Sequence, residues 1–170
     1  MTPLRIGVVG PGLNGATASQ LSLAEHVGRH LANRGVQLVC GGLFGIMEAA
    51  CRGAHQSNGT TIGLLPGLNE GDGNSYLTVS LPTGVGELRN GLLINASHSV
   101  ICIGGSWGTL SEVALTLRSG KTCIGLDAWR ISGEDRSLGG RIIHTASPEE
   151  AVKLAVDAAV SWRSRDRSDS

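Results

Sequence analysis

Glu112 closes the stretch IGGSWGTLSE (103–112), where an apolar run gives way to the turn Gly104-Gly105-Ser106-Trp107-Gly108 and then to a helical pattern. The first N–H groups of a helix have no intrahelical partner and carry the positive end of its dipole, so a glycine turn leading into one can hold a phosphate. A carboxylate one turn further along could stabilise positive charge on an attached ribose and orient water for cleavage of an N-glycosidic bond. The same spacing has a second use. Thr109 and Glu112 fit the capping box [ST]-x-x-[DE], in which the glutamate bonds a backbone N–H and does no chemistry. Both readings stand on spacing alone.

Two more glycine turns follow apolar runs. Gly10-Pro11-Gly12-Leu13-Asn14-Gly15 matches GxGxxG, but the second run ends in Cys40-Gly41-Gly42 where a dinucleotide site would place a ribose-binding acid. In a parallel sheet the carboxyl ends of the strands share one edge, so the turns at Gly12, Gly41-Gly42 and Gly104-Gly105 face one crevice. No lysine follows a GxxxxG string; Lys121 and Lys153 are the two lysines. His26 and His30 stand four apart without an acidic or thiol partner nearby, and read as surface residues of a helix rather than metal ligands. Ser106 is not in GxSxG, which argues against a nucleophile elbow. Arg89, in GELRNGLL, reads by default as a surface helix residue with Glu87 as a neighbour.

Elements able to position these residues alternate along the chain. Strand-like runs are expected at 4–9, 36–40, 60–65, 77–81, 99–103, 122–126 and 141–145, separated by helical spacing, the pattern of βαβ units. The first helix is expected to open on the Ser22–Glu25 capping box and stop at Gly35. A second spans 44–55, and a third runs through Leu88, Leu92 and Asn95, interrupted by Gly91. A fourth starts near Thr109 with Leu110, Val113, Ala114 and Leu117 toward the core, and a last opens at Ser147-Pro148-Glu149-Glu150. Loops are expected at 66–76 and 127–140, and a frayed polar tail at 164–170. The fold class is therefore α/β: a three-layer αβα arrangement around a mainly parallel sheet of about seven strands, as one domain over residues 1–163.

A chain of 170 residues with no net charge and scattered basic residues carries no electrostatic footprint for nucleic acid or a basic membrane patch. Small molecules or further copies of the chain are the expected partners. Cys40, Cys51, Cys102 and Cys123 lack CxxC spacing; three of them lie in or beside apolar runs and read as core thiols. No run reaches the roughly 18 apolar residues of a membrane helix, and the expected location is the cytoplasm.

GGLFGIMEAACRGA (41–54), RNGLLINASHSVICIGG (89–105) and GGSWGTLSEVAL (104–115) together resemble the LOG family of the SLOG superfamily, which includes nucleoside 5′-monophosphate phosphoribohydrolases. The likeness, spanning about residues 4–160, is greater to the branch that holds molybdenum cofactor carrier proteins. It implies a Rossmann-like sheet, a homodimer or higher homo-oligomer, and nucleotide sites near the subunit interface. The family motif PGGxGTxxE falls on Gly104–Glu112, which makes its turn phosphate-binding and Glu112 catalytic. The motif arginine matches Arg89, and Gly41 and Gly42 match an earlier glycine motif lining the same pocket. Gly104 stands for the motif proline, Ser106 for its second glycine and Asn90 for the lysine after the arginine. Members have carried the label lysine decarboxylase; two lysines and no pyridoxal-phosphate anchor set that label aside.

The expected site is thus Arg89 and Glu112 as catalytic residues, with Gly12, Gly41, Gly42, Asn90, Gly105, Ser106, Trp107, Gly108 and Thr109 around the phosphate or nucleotide; no metal and no cofactor are expected. Two functions follow. In the leading one, a nucleoside 5′-monophosphate is hydrolysed to base and ribose 5-phosphate. The alternative is a non-catalytic carrier or sensor of a phosphorylated ligand such as the pterin-type molybdenum cofactor.

Overall fold

The computed structural model describes residues 2–131 and 140–166. Seven short runs rich in Val, Ile and Leu form one sheet: β1 (Arg5–Val9), β2 (Gln37–Cys40), β3 (Thr61–Leu65), β4 (Val79–Pro82), β5 (Ser99–Ile103), β6 (Thr122–Leu126) and β7 (Arg141–Thr145). Their order is β4-β3-β2-β1-β5-β6-β7, and every neighbouring pair is parallel. Parallel neighbours require crossovers, which α1 (Ala18–Asn33), α2 (Ile46–Gln56), α3 (Arg89–Ala96) and α4 (Trp107–Arg118) supply for four of the links; a loop with a single 3-10 turn joins β3 to β4, the described residues between β6 and β7 hold no helix, and α5 (Pro148–Asp166) follows the last strand. The three-layer Rossmann-like α/β fold expected from the sequence is the one observed.

Alternation along the strands divides the core. Ile6, Val8, Leu38, Ile101 and Ile103 pack toward α1, α2 and α5, while Val9, Val39, Val100 and Cys102 pack toward Leu93 and Ile94 of α3 and Val113 of α4. All five residues of β5 are buried, as a strand covered on both faces must be. The chain builds the sheet outward from β1 to β4, then returns to place β5 on the other side of β1. Loops after β1 and β5 therefore leave in opposite directions and open a crevice at their carboxyl ends.

Local boundaries differ from expectation in instructive ways. α1 begins at Ala18, because Thr17 and Gln20 form a complete capping box ahead of the expected Ser22–Glu25 pair. Glu25 instead accepts two hydrogen bonds from Arg52 at 2.9 and 2.8 Å and joins α1 to α2. Gly91 does not interrupt α3, and Leu88 and Leu92 point outward. β4 sits two residues later than expected. α5 continues to Asp166, into the segment expected to fray; 167–170, like 132–139 of the 127–140 loop, lie outside the described residues.

α1 and α2 cross at very short range. A Cβ at Gly28 would collide with the Ala50 carbonyl, and one at Gly53 with the Glu25 carbonyl, so each helix offers a glycine to the other's backbone. Gly53→Val is expected to lower stability by about 1–3 kcal/mol or more through overpacking, read as a reduced midpoint in chemical denaturation; an unchanged midpoint would show that the helices can separate without cost.

Candidate functional site

The buried stripe of α4 sets the geometry. Leu110, Val113, Ala114 and Leu117 were expected to face the core, but the buried residues of α4 are Thr109, Glu112, Val113 and Thr116, and Ala114 is exposed. The helix is turned by about one residue and buries three polar side chains, of which Thr109 and Thr116 have local hydrogen-bond partners. Thr109 Oγ1 lies 2.8 Å from Ser106 Oγ, and Thr116 donates to the Glu112 carbonyl at 2.7 Å. Glu112 faces Arg89 of α3.

Ser106, not Thr109, is the N-cap of α4: its backbone is extended and its hydroxyl accepts the Thr109 N–H at 3.2 Å. The Thr109–Glu112 capping box is therefore not formed, and Glu112 is not folded back onto its own backbone. The serine that replaces a motif glycine spends its oxygen on the cap. Trp107 and Gly108, the first two helical residues, have no backbone acceptor among the described residues, so their N–H groups stay available at the positive end of the helix. Gly104, at φ +70°, supplies the left-handed turn leading to them.

Arg89 overturns the surface assignment. It opens α3 with only 8 % of its area exposed, and its guanidinium lies against the Cα of Gly41, where a Cβ would collide with Nη1. Gly41 is thus a glycine because an arginine occupies its side-chain space. Arg89 Nη1 is 3.8 Å from Glu112 Oε1, too long for a hydrogen bond, and both Nε and Nη1 are buried without a hydrogen-bond acceptor among the described residues. Burial pushes the Glu112 pKa from its ordinary 4.5 up to about 7, against the opposing pull of the Arg89 charge. Near neutral pH, a buried guanidinium therefore faces a carboxyl group that is substantially protonated. A buried charge left in that state is costly, and an anion would relieve it.

Other candidates divide into those the fold brings to the crevice and those it uses elsewhere. Gly42, at φ +75°, turns the chain after Gly41, and its N–H donates to Cys40 Sγ at 3.3 Å. Asn90 is buried beside Arg89, but its amide nitrogen donates to Ser111 Oγ at 3.2 Å and ties α3 to α4. The Gly10–Gly15 turn serves packing first: a Cβ at Gly10 would stand 2.5 Å from the Ile103 carbonyl, and the Pro11 carbonyl accepts the Ile46 N–H at the start of α2. Gly12 has open space where a Cβ would be.

His26 bonds the Ser22 carbonyl, and no three His, Cys, Asp or Glu side chains gather among the described residues. All four cysteines are buried thiols. Lys121 is buried and donates to the Ile94 carbonyl at 2.6 Å near the end of α3. Among the described residues no helix is long and apolar enough to cross a membrane.

Three residues at the crevice escaped sequence reasoning. Gln20, in the first turn of α1, packs onto Gly104 and donates to Asp127 Oδ2 at 3.0 Å. Asp127, just past β6, holds φ at +48°, an uncommon conformation for a non-glycine residue. Trp129 lies over Gly105. Only the position of Asp127 at a strand end could have signalled any of them; Trp129 sits in a stretch that reads as a polar spacer.

The Glu112 geometry carries a pH signature. With a folded pKa above the unfolded one, the neutral form is favoured by folding, so the stability contributed is complete below pH 4.5 and lost as the pH rises through about 7. Glu112→Gln should flatten that slope, which amounts to on the order of 3 kcal/mol across the window; denaturation midpoints compared at pH 5 and pH 8 check it, and an unaltered slope would place the titration elsewhere.

Residues 3–152 match the model of the SLOG cluster4 family. An uncharacterised protein of Archaeoglobus fulgidus is 32% identical over 160 residues, covering 94% of this chain and 99% of the relative. The structure of the molybdenum cofactor binding protein of Rippkaea orientalis superposes with a TM-score of 0.82 at 34% identity, covering 92% of this chain and 98% of that one. The molybdenum cofactor carrier protein of Chlamydomonas reinhardtii does so with a TM-score of 0.82 at 28% identity, covering 94% and 99%. The buried Arg89–Glu112 pair, the glycine turn at the start of α4 and a family match over most of the length lead to one assignment: the chain belongs to the SLOG cluster4 family.

Proposed function

We propose that this chain binds a phosphorylated pterin-type ligand of the molybdenum cofactor class and holds it without chemical change. The observation that carries the anionic part of this reading is the buried Arg89 guanidinium, with Nε and Nη1 lacking acceptors among the described residues, beside a carboxyl group whose pKa burial raises to about 7. The free N–H groups of Trp107 and Gly108 supply a second set of donors for the ligand's phosphate. The pterin class rests on the likeness to the two molybdenum cofactor proteins. Gly12, Gly42, Gly105 and Thr109 line the approach in this reading, with Asn90 acting through the α3–α4 contact.

One observation favours a second reading. A carboxyl group whose pKa is about 7, beside an arginine, suits proton transfer near neutral pH, as hydrolysis of a nucleoside 5′-monophosphate to base and ribose 5-phosphate would require. In that reaction Arg89 orients the substrate and Glu112 positions water.

Mass spectrometry of small molecules released from the purified protein is expected to recover an intact phosphorylated pterin-type ligand. Arg89→Gln should bind it at least about tenfold more weakly, since a charge-assisted hydrogen bond is worth roughly 1.5–3 kcal/mol. Absence of any thermal shift with phosphorylated candidates would overturn the binding reading. Incubation with a panel of nucleoside monophosphates separates the two functions: release of free base by the native protein and not by Glu112→Gln would replace holding with hydrolysis.

Pairing of two copies is part of the proposal. Leu88 and Leu92, exposed beside the α3 start, form an apolar strip next to Arg89 that a second copy would cover. A native mass of a single chain at micromolar concentration would remove this part.

A further inference from the structure

We infer that the exposed Trp107 indole, with Trp129 against it edge to face, is the platform on which the ligand's flat heteroaromatic ring stacks, so that the ring lies on the side of the α4 start away from Glu112. The inference rests on the phosphate-anchored reading above and adds to it where the ring goes.

Aromatic residues are scarce in this chain, which has three Trp, one Tyr and one Phe, and two of the tryptophans meet at the phosphate loop. The Trp129 ring covers Gly105 so closely that a Cβ there would stand 2.5 Å from its atoms. Trp107 meets Trp129 edge to face, with centroids 5.7 Å apart and planes at 78°. Trp107 nonetheless remains 80 % exposed and Trp129 45 %. Local structure does not call for an indole at position 107: the helix is capped by Ser106, and tryptophan is an indifferent helix former. An exposed aromatic face beside helix amides with no backbone acceptor among the described residues suits a planar ring joined to an anionic group.

Angular position supports the same ligand orientation. Trp107 and Glu112 are five residues apart, which at 3.6 residues per turn places them about 140° apart around α4. An anion on the end of the helix is then flanked by Arg89 and Glu112 on one side and by the two indoles on the other. Among the described residues a Cβ at Gly108 would meet nothing nearer than Ser106 Oγ at 3.9 Å, so no side chain fills the space beside the turn there. A ring on the tryptophans draws the bond that joins it to the rest of the ligand away from Glu112. Such a ligand is held rather than cleaved.

The test compares GMP, which has a fused heteroaromatic ring, with ribose 5-phosphate, which has none, by calorimetry on the native chain, Trp107→Phe and Trp107→Ala. The native chain is expected to bind GMP at least about tenfold more tightly than ribose 5-phosphate, a stacking gain of usual size. Trp107→Phe should keep most of that gain, and Trp107→Ala should lose it, its GMP to ribose 5-phosphate affinity ratio falling to within about twofold of one. A gain that persists in Trp107→Ala, or no gain in the native chain, overturns the platform and leaves the anion site standing. If ribose 5-phosphate and GMP both fail to bind the native chain, the anion site falls and the platform with it. A change in native mass on Trp107→Ala would make the indoles an interface between copies and also overturn the inference.

Discussion

A guanidinium buried against a glycine, with a carboxyl group too far away to satisfy it, is the constraint around which this molecule is arranged. Arg89 lies on the Cα of Gly41, and its Nη1 stands 3.8 Å from Glu112 Oε1. To bury that charge the fold must follow β2 with a residue that has no side chain, Gly41. It must also start α3 at the arginine and turn α4 so that Glu112 faces inward in place of Ala114. Charges removed from water without full hydrogen bonding oppose folding. Here they stand at the carboxyl edge of a parallel sheet, where ligands of such folds collect.

The crevice has two unlike walls about one helix start. One wall is polar and buried, made by Arg89, Glu112 and the backbone of Gly41. The other is apolar and wet, made by Trp129 over Gly105 and Trp107 against it. Between them are the free N–H groups of Trp107 and Gly108. Supporting contacts lie a layer further out: Ser106 caps α4, Asn90 links α3 to α4 through Ser111, and Gln20 joins the start of α1 to Asp127 beside Gly104. Holding a ligand and hydrolysing it would use the same anion-binding end of α4, and would differ in which wall receives the rest of the molecule.

Much of the architecture was legible because burial on both faces of a parallel sheet leaves continuous apolar runs, and the crossovers leave helical spacing between them. All seven strands and all five helices fall on segments so marked, with α1, α4 and β4 displaced at their ends. The displaced starts of α1 and α4 share a cause. Ser22–Glu25 and Thr17–Gln20 both satisfy a capping pattern, as do Thr109–Glu112 and the earlier Ser106; which box closes depends on what else the acid can reach. Arg52 takes Glu25, and Arg89 faces Glu112.

The chain by itself determined the sheet, the crossovers and the three glycine turns on one edge, since these follow from hydrophobic period and turn chemistry within short windows. Family motifs in the sequence also marked Arg89 and Glu112 together. Only the tertiary structure decided that Arg89 is buried, that α4 presents a polar stripe to the interior, and that Trp129 crosses to roof Gly105. Each of these depends on contact between residues more than twenty positions apart. Whether a side chain is hidden or wet there is set by the packing of whole elements, which no local spacing encodes.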